Sequence, residues 1–401
     1  MITLEDLRSA QARVGPVIRA TPVTTSGALS ALVGRRLSLK GEHLQRTGSY
    51  KIRGAYNRIS RLDPTATPAG VVAASAGNHA QGVALAARLA GIRSTIFMPR
   101  TAPLPKVSAT RGYGAEVRLV GQLVDDCILA ALEHAAATGA VFVPPFDDPH
   151  IVAGQGTVGL ELAEESADAE VVVVPVGGGG LIAGVATALA LTRPAIRVVG
   201  VEAAGAAAMR ASLDAGRCVA LEQVTTMADG IALRSPSELT LSHVQAYVDD
   251  VVTVTEEEIS QAVLLLLERT KALVEPAGAV GLAALLSGKV AGTGPATTIL
   301  SGGNVDPLLL LKLVDHGLSA AGRYLVVRVV LGDRPGALAA LTAVLAELGL
   351  NVLSVEHHRA GLALGVDEVE VLLTLETRDP DHRHEIVAVI SEAGFTVELV
   401  R

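Results

Sequence analysis

The segment Glu42–His43–Leu44–Gln45–Arg46–Thr47–Gly48–Ser49–Tyr50–Lys51–Ile52–Arg53–Gly54–Ala55 is polar, rich in small residues and carries a single lysine. A lysine held out of water loses its proton readily near neutral pH and can then act as nucleophile or base. Taken alone, Lys51 reads as part of a surface loop leading into a helix. Three further polar turns change the balance. Ser75–Ala76–Gly77–Asn78–His79 lies between an apolar run and a helical pattern, Gly177–Gly178–Gly179–Gly180–Leu181 lies in the same kind of place, and Ser301–Gly302–Gly303–Asn304 follows a third apolar run. In a parallel sheet such turns emerge at the carboxyl ends of the strands, where α/β folds bind ligands. The glycine run can offer successive backbone N–H groups to an anion at a helix N-terminus. It also satisfies a relaxed dinucleotide fingerprint, Gly178–x–Gly180–x–x–Ala183 with Glu202 some twenty residues on, so an NAD-binding oxidoreductase stands as a remote alternative. The extra glycine, the mid-chain position and the unexplained Lys51 and Ser75–His79 segments argue against it.

The elements that must position these turns alternate along the chain. Val71–Ala74, Ser94–Met98, Glu116–Val120, Glu170–Val176, Arg197–Val201 and Thr297–Leu300 read as strands, and Gly77–Leu89 and Gly180–Leu191 read as helices. Thr255 with Glu258 three residues later forms a capping box opening a helix over Glu256–Glu268. This predicts an α/β catalytic unit with mostly parallel sheets in two subdomains over residues 1–322, the smaller of them, about 46–150, inserted in the larger. From residue 323 the texture changes. Tyr324–Leu331, Asn351–His358, Glu368–Leu375 and Phe395–Val400 alternate as strands, and Pro335–Leu348 and His382–Ala393 are helical. The order βαββαβ predicts a ferredoxin-like domain over 323–401.

Composition narrows the function classes. Half of the 401 residues are hydrophobic and only 2% aromatic, which suits a tightly layered α/β protein. A formal charge of −8 and the lack of a basic run with interleaved aromatics argue against nucleic-acid binding. The N-terminus has no signal-peptide pattern, and no stretch supplies the roughly 18 apolar residues that a membrane span needs, so a cytoplasmic protein is expected. Cys127 and Cys218 stand in unrelated contexts and read as small core residues, neither a disulfide nor a metal pair.

Taken together the motifs resemble the fold-type II pyridoxal 5′-phosphate (PLP) enzymes, the tryptophan-synthase-β-like family, and within it the threonine and serine dehydratases. The resemblance covers roughly residues 1–320. It rests on Thr47–Gly48–Ser49–Tyr50–Lys51 with Arg53–Gly54–Ala55, Ser75–His79, Ala102–Pro103 with Lys106, Gly154–Gln155–Gly156–Thr157, the glycine run, Ala228–Asp229–Gly230, Glu275–Pro276–Ala277–Gly278 and Ser301–Asn304, all in family order. Tyr50 departs from the more familiar Phe beside the lysine. The tail resembles an ACT domain, a module that binds amino-acid effectors.

The resemblance implies that Lys51 forms the Schiff base with PLP and then takes the Cα proton. It further implies that Gly177, Gly178, Gly179, Gly180 and Leu181 hold the phosphate, that Asn78 contacts the ring oxygen, and that Ser301 hydrogen-bonds the pyridine nitrogen. A neutral hydroxyl there weakens the electron sink and favours elimination over transamination. The backbone of Ser75, Ala76, Gly77, Asn78 and His79 would hold the substrate carboxylate, with Ser75 as a second proton-transfer group. Glu275 reads either as a helix-terminal carboxylate or as a neighbour of the cofactor. No metal is expected, because the second carboxylate that would follow Glu202 is missing, although Glu202 could hold a cation weakly. The expected reaction is deamination of L-threonine to 2-oxobutanoate and ammonia with L-serine as side substrate, serine dehydratase or serine racemase being the alternative. Asp333 and Asn351 resemble effector positions, and they read equally well as turn residues. Pairing of ACT domains implies a homodimer or homotetramer.

Overall fold

The apolar runs Val71–Ala74 and Ser94–Met98 form strands over just those residues, and the other runs of the catalytic region form strands within one or two residues of their expected ends. They belong to a computed structural model that describes residues 1–320, 322–359 and 365–400. The chain divides into two units, Met1–Pro307 and Leu308–Arg401.

The first unit contains two sheets. The larger runs in the order Val23–Thr25, Leu37–Lys40, Ala296–Ile299, Val171–Pro175, Arg197–Ala203, Asp250–Val254, and every neighbouring pair is parallel except the first. The smaller, entirely parallel, runs Glu116–Leu119, Ser94–Met98, Val71–Ala74, Val141–Phe142. Val71–Ala74 and Val171–Pro175 are buried along their whole length, which is why these runs are continuously apolar rather than alternating. Expectation and structure part at the helix after Thr255. Its capping box is present, but the α-helix ends at Leu265 and a π-helical turn follows over Leu266–Thr270, closing on Lys271 at φ 59°. A periodicity of 3.6 residues does not register a one-turn widening. Cys127 is buried and Cys218 only half-buried, so the core reading holds for the first alone.

The second unit is a four-stranded antiparallel sheet in the order Val352–His358, Glu368–Glu376, Tyr324–Gly332, Thr396–Leu399. The central strands alternate, with Leu325, Val327, Val329, Leu331, Val369, Val371, Leu373 and Leu375 buried in one cluster with Leu341, Leu345, Ile386 and Ile390 of the helices Ala337–Glu347 and Pro380–Glu392. This is the period-two pattern of a sheet packed on one face.

A buried ionic network fixes the helix Lys51–Ile59 in the first unit. Arg53 is fully buried. Its Nε and Nη2 donate to the two oxygens of Glu42 at 2.8 and 2.7 Å, and its Nη1 and Nη2 donate to Glu161 at 2.6 and 2.9 Å. Lys40 Nζ donates to Glu165 at 2.7 Å and pairs with Glu161 at 2.8 Å. Burial opposes ionisation of Glu42, yet Arg53 beside it keeps its carboxyl below the ordinary range. The helix also crosses Pro149–Glu165 at very close range. A Cβ on Gly154 would lie 2.6 Å from the Cα of Gly54, so both positions need glycine. Removing one member of a buried pair strands the other charge, at a cost of about 3–5 kcal/mol. Arg53→Met is therefore expected to lower the unfolding free energy of the catalytic unit by about that amount. Urea denaturation would show it, and an unchanged midpoint would mean that Glu42 is neutral or hydrated.

Candidate active site

Lys51 is the first residue of the helix that Arg53 anchors. Its Nζ donates to the carbonyl of Pro145 at 3.1 Å and lies 5.2 Å from the centre of the Tyr50 ring. Burial favours the uncharged amine and lowers its pKa to about 8, against the opposing pull of Glu275. The side chain borders a cavity. Asn78, Gly177–Leu181, Glu275 and Ser301 border the same cavity, with Tyr50, Phe146, Gly230 and Ile231 completing the walls. Chain segments more than two hundred residues apart thus meet around one amine.

The glycine run follows the strand Val171–Pro175 and opens the helix Gly180–Thr192. Gly179 is the N-cap at φ 88°, and no side chain caps that terminus. The first amides of the helix therefore lack intrahelical partners and can receive an anion, with the dipole favouring it. The small residues answer a second demand as well. A Cβ on Gly178 would lie 2.3 Å from the Phe146 ring, and one on Gly179 would lie 2.7 Å from Met209 Cε. The loop is thus held from behind, where the sequence reading considered only approach from the ligand side. Thr240 Oγ1 adds a hydrogen bond to the Gly178 carbonyl at 2.7 Å.

The turn Ser75–His79 is brought close to this cavity only at Asn78. The amide of Ser75 donates to the Phe97 carbonyl at 3.1 Å, and that of Gly77 donates to Ser75 Oγ at 3.1 Å. These two donors are thus already engaged within the protein, which narrows a carboxylate cradle at this helix start to the amides of Ala76, Asn78 and His79. The imidazole of His79 is buried against the Val143 carbonyl at 2.9 Å, where burial and then Lys51 lower its pKa to about 3. It stays neutral and donates to that carbonyl. Ser75, Ala76, Gly77 and His79 do not line the cavity.

Several groups had no assigned role in the sequence reading. Asn304 Nδ2 donates to the Thr47 carbonyl at 2.7 Å and to Asn78 Oδ1 at 2.8 Å, while Asn78 Nδ2 donates to Glu275 Oε1 at 2.6 Å. Burial and then Asp229 push Glu275 up to about 7, against Lys106, Asn78 and Lys51. Lys106 is itself ion-paired with Asp229. The motifs around Asn304, Lys106 and Asp229 were visible in the sequence, whereas Phe146 gave no signal beyond being an aromatic in a chain with few of them.

Glu202 is fully buried, and its oxygens accept from the amides of Met209 and Arg210 at 2.8 Å each. It caps the helix Ala208–Ala215, which gives this carboxylate a structural use. Among the described residues no group of three or more His, Cys, Asp or Glu side chains is placed to hold a metal ion. In the second unit Asp333 follows the strand Tyr324–Gly332, where Arg359 Nη1 donates to it at 3.0 Å. Asn351 lies beside Glu376, at the Tyr324 end of that strand. The strand spans about 30 Å at about 3.4 Å per residue, so one domain does not bring the two residues together.

Residues 14–302 match the model of the pyridoxal-phosphate dependent enzymes, and 325–395 match that of the ACT domain. The chain is 48% identical over 400 residues, covering all of both chains, to an L-threonine ammonia-lyase of Thermotoga maritima. It is similar to the crystal structure of a T.th. threonine deaminase, with a TM-score of 0.72 and 43% identity over 76% of this chain and 99% of that one. It is also similar to maize serine racemase, with a TM-score of 0.74 and 38% identity over 79% of this chain and 98% of that one. The cavity fits a phosphorylated pyridine aldehyde. It has a buried amine for the aldehyde, an uncapped helix start for the phosphate, and Glu275 Oε2 buried without a partner among the described residues.

Two outcomes follow from this geometry. An amine-directed reagent should modify Lys51 of the cofactor-free protein at a rate that levels off above pH about 8, whereas an ordinary lysine, titrating at about 10.4, would keep gaining reactivity beyond pH 10. Gly178→Ala should weaken binding of PLP by about ten-fold or more, equivalent to ~1.4 kcal/mol, with partial recovery when Phe146→Ala is added. Equilibrium dialysis would show both, and full-strength binding by the single variant would mean that the Phe146 wall yields.

Proposed function

The chain belongs to the pyridoxal-phosphate dependent enzymes, with an ACT domain behind the catalytic unit, and from that premise we propose that it is an L-threonine ammonia-lyase. It converts L-threonine to 2-oxobutanoate and ammonia and takes L-serine as a side substrate. The observation that carries this reading is the end-to-end match to the Thermotoga maritima L-threonine ammonia-lyase, which includes the ACT region. The match to maize serine racemase extends over 79% of this chain. The methyl group that separates threonine from serine is worth about 1–3 kcal/mol in a pocket, so the preference is a matter of degree.

Lys51 carries the cofactor and, once free, exchanges the substrate Cα proton at its Nζ. What supports this role is its burial beside the cavity and the consequent fall of its pKa to about 8, near the value an acid–base catalyst needs at neutral pH. The bound cofactor supplies the electron sink, and the Ser301 hydroxyl at the ring nitrogen keeps that sink weak enough for the β-hydroxyl to leave. Gly177–Leu181 and the helix start they form bind the phosphate, and the free amides of Ala76, Asn78 and His79 orient the substrate carboxylate. Ser75 is assigned a proton transfer on the opposite face; its Oγ accepts from the Gly77 amide and keeps its O–H and a second lone pair for that role. Tyr50, Phe146 and Ile231 wall the cavity beside the half-buried amine.

For the ACT domain we propose an amino-acid effector held by Asp333 of one copy and Asn351 of another. Their separation within one domain supports this, because a site using both needs two chains, as in a homodimer or homotetramer. No described helix is long and apolar enough to cross a membrane.

Purified protein with PLP should release 2-oxobutanoate from L-threonine, and Lys51→Ala should lower kcat by about four orders of magnitude or more, a ΔΔG‡ of ~5.5 kcal/mol. A parent protein that epimerises serine faster than it deaminates threonine would overturn the assignment in favour of a racemase.

A further inference from the structure

Glu275 is the N-cap residue of the helix Pro276–Leu286, yet its side chain makes no hydrogen bond to that helix. A capping side chain ordinarily accepts from the second or third amide of its own helix. This one turns into the site, where it is 2% exposed. The backbone makes room for it. The Glu275 amide donates to the Gly302 carbonyl at 3.0 Å, and a Cβ on Gly302 would lie 2.1 Å from Glu275 Oε1 and 3.1 Å from Asn78 Nδ2. Residue 302 can only be glycine if the carboxylate and the Asn78 carboxamide are to meet.

The two ends of a carboxamide are nearly equal in size and opposite in hydrogen-bonding sense, so its rotation must be set by its partners. Here the setting runs along a chain of groups. The Thr47 carbonyl only accepts, which directs the NH2 of Asn304 toward it and leaves that group's second N–H for Asn78 Oδ1. Asn78 must then turn its own NH2 toward Glu275 Oε1. One of the two N–H bonds of Asn78 Nδ2 is taken by the carboxylate and the other is left over. Asp229 with its partner Lys106, together with Lys51 and Tyr50, are the titratable groups whose charges act with that of Glu275.

We propose that Glu275 is a positioning residue that, opposite Asn304, locks the Asn78 carboxamide with one N–H kept for the ring oxygen of the cofactor. The assignment rests on the reading that Asn78 serves that oxygen. A donated N–H stabilises the ring oxygen in its deprotonated form, which absorbs in the visible, over the protonated form, which absorbs in the near ultraviolet. Without Glu275 the carboxamide keeps only its hydrogen bond from Asn304 at Oδ1, so its NH2 loses its second anchor and the N–H aimed at the ring oxygen is no longer fixed in place.

The test is a double-mutant cycle on the holoenzyme, reading the visible to near-ultraviolet absorbance ratio together with kcat and KM. Asn78→Ala and Glu275→Leu are each expected to lower the ratio by about 2- to 10-fold, the range of one net hydrogen bond. The double variant should go no lower than Asn78→Ala alone, because the effect of Glu275 passes through Asn78. Glu275→Gln, which keeps an acceptor oxygen, should recover at least about half of the difference. If Glu275→Leu does not fold, Glu275→Ala takes its place in the cycle. Losses that multiply in the double variant would mean that Glu275 acts on its own and would overturn the proposal. So would an unchanged ratio in Glu275→Leu where Asn78→Ala lowers it. An unchanged ratio in Asn78→Ala itself would instead remove the reading of Asn78 on which the proposal stands.

Discussion

A charge taken out of water must find a partner or give up its ionisation, and this molecule uses both solutions within one turn of helix. Arg53 is fully buried and answered on both sides by Glu42 and Glu161. The amine of Lys51, two residues earlier, has only the Pro145 carbonyl as a hydrogen-bond partner among the described residues, and its affinity for a proton falls. The contrast is one of partners and of depth, Arg53 being fully buried and Lys51 half-buried. A paired guanidinium holds the helix rigidly against the sheet and the neighbouring helix, and that rigidity keeps the amine beside it in surroundings that weaken its hold on a proton.

The same division between holding and acting runs through the rest of the site. Thr240 and Phe146 hold the glycine run, Val143 holds His79, and the helix Ala208–Ala215 is capped by Glu202. These contacts lie behind the groups that face the cavity. Close packing of glycine against side chain sets the position of the backbone, so that the uncapped start of Gly180–Thr192 presents its amides in one place. Preorganisation of this kind means that dipoles need not be reoriented as charge moves in the substrate.

The polar turns at strand ends were legible from the sequence because apolar runs bounded by glycine and asparagine can form little else. Asn78, the glycine run and Ser301 lie on such turns, Lys51 stood out as the lone lysine of a polar segment, the family resemblance implied their roles, and the structure gathers these four around one cavity. The two donors engaged at Ser75 and Gly77 were not legible, since a motif reveals which amides exist and not which carbonyls reach them. Phe146 stayed hidden for a related reason. A single aromatic in a loop has no periodicity, and its role follows entirely from the backbone it backs. In the ACT domain Asp333 and Asn351 lie at opposite ends of the strand Tyr324–Gly332, a separation that no local pattern reveals.

By itself the sequence determined the βα alternation and the change to βαββαβ, which follow from local period and composition, and its motifs carried the family resemblance that implies the residue types of the chemistry. Tertiary structure decided which of those groups are dry, which are already hydrogen-bonded and which way a carboxamide turns. Those properties depend on neighbours hundreds of residues away, as when Asn304 and Glu275 meet Asn78. Desolvation and hydrogen-bond direction belong to the assembled environment, and no stretch of the chain carries them alone.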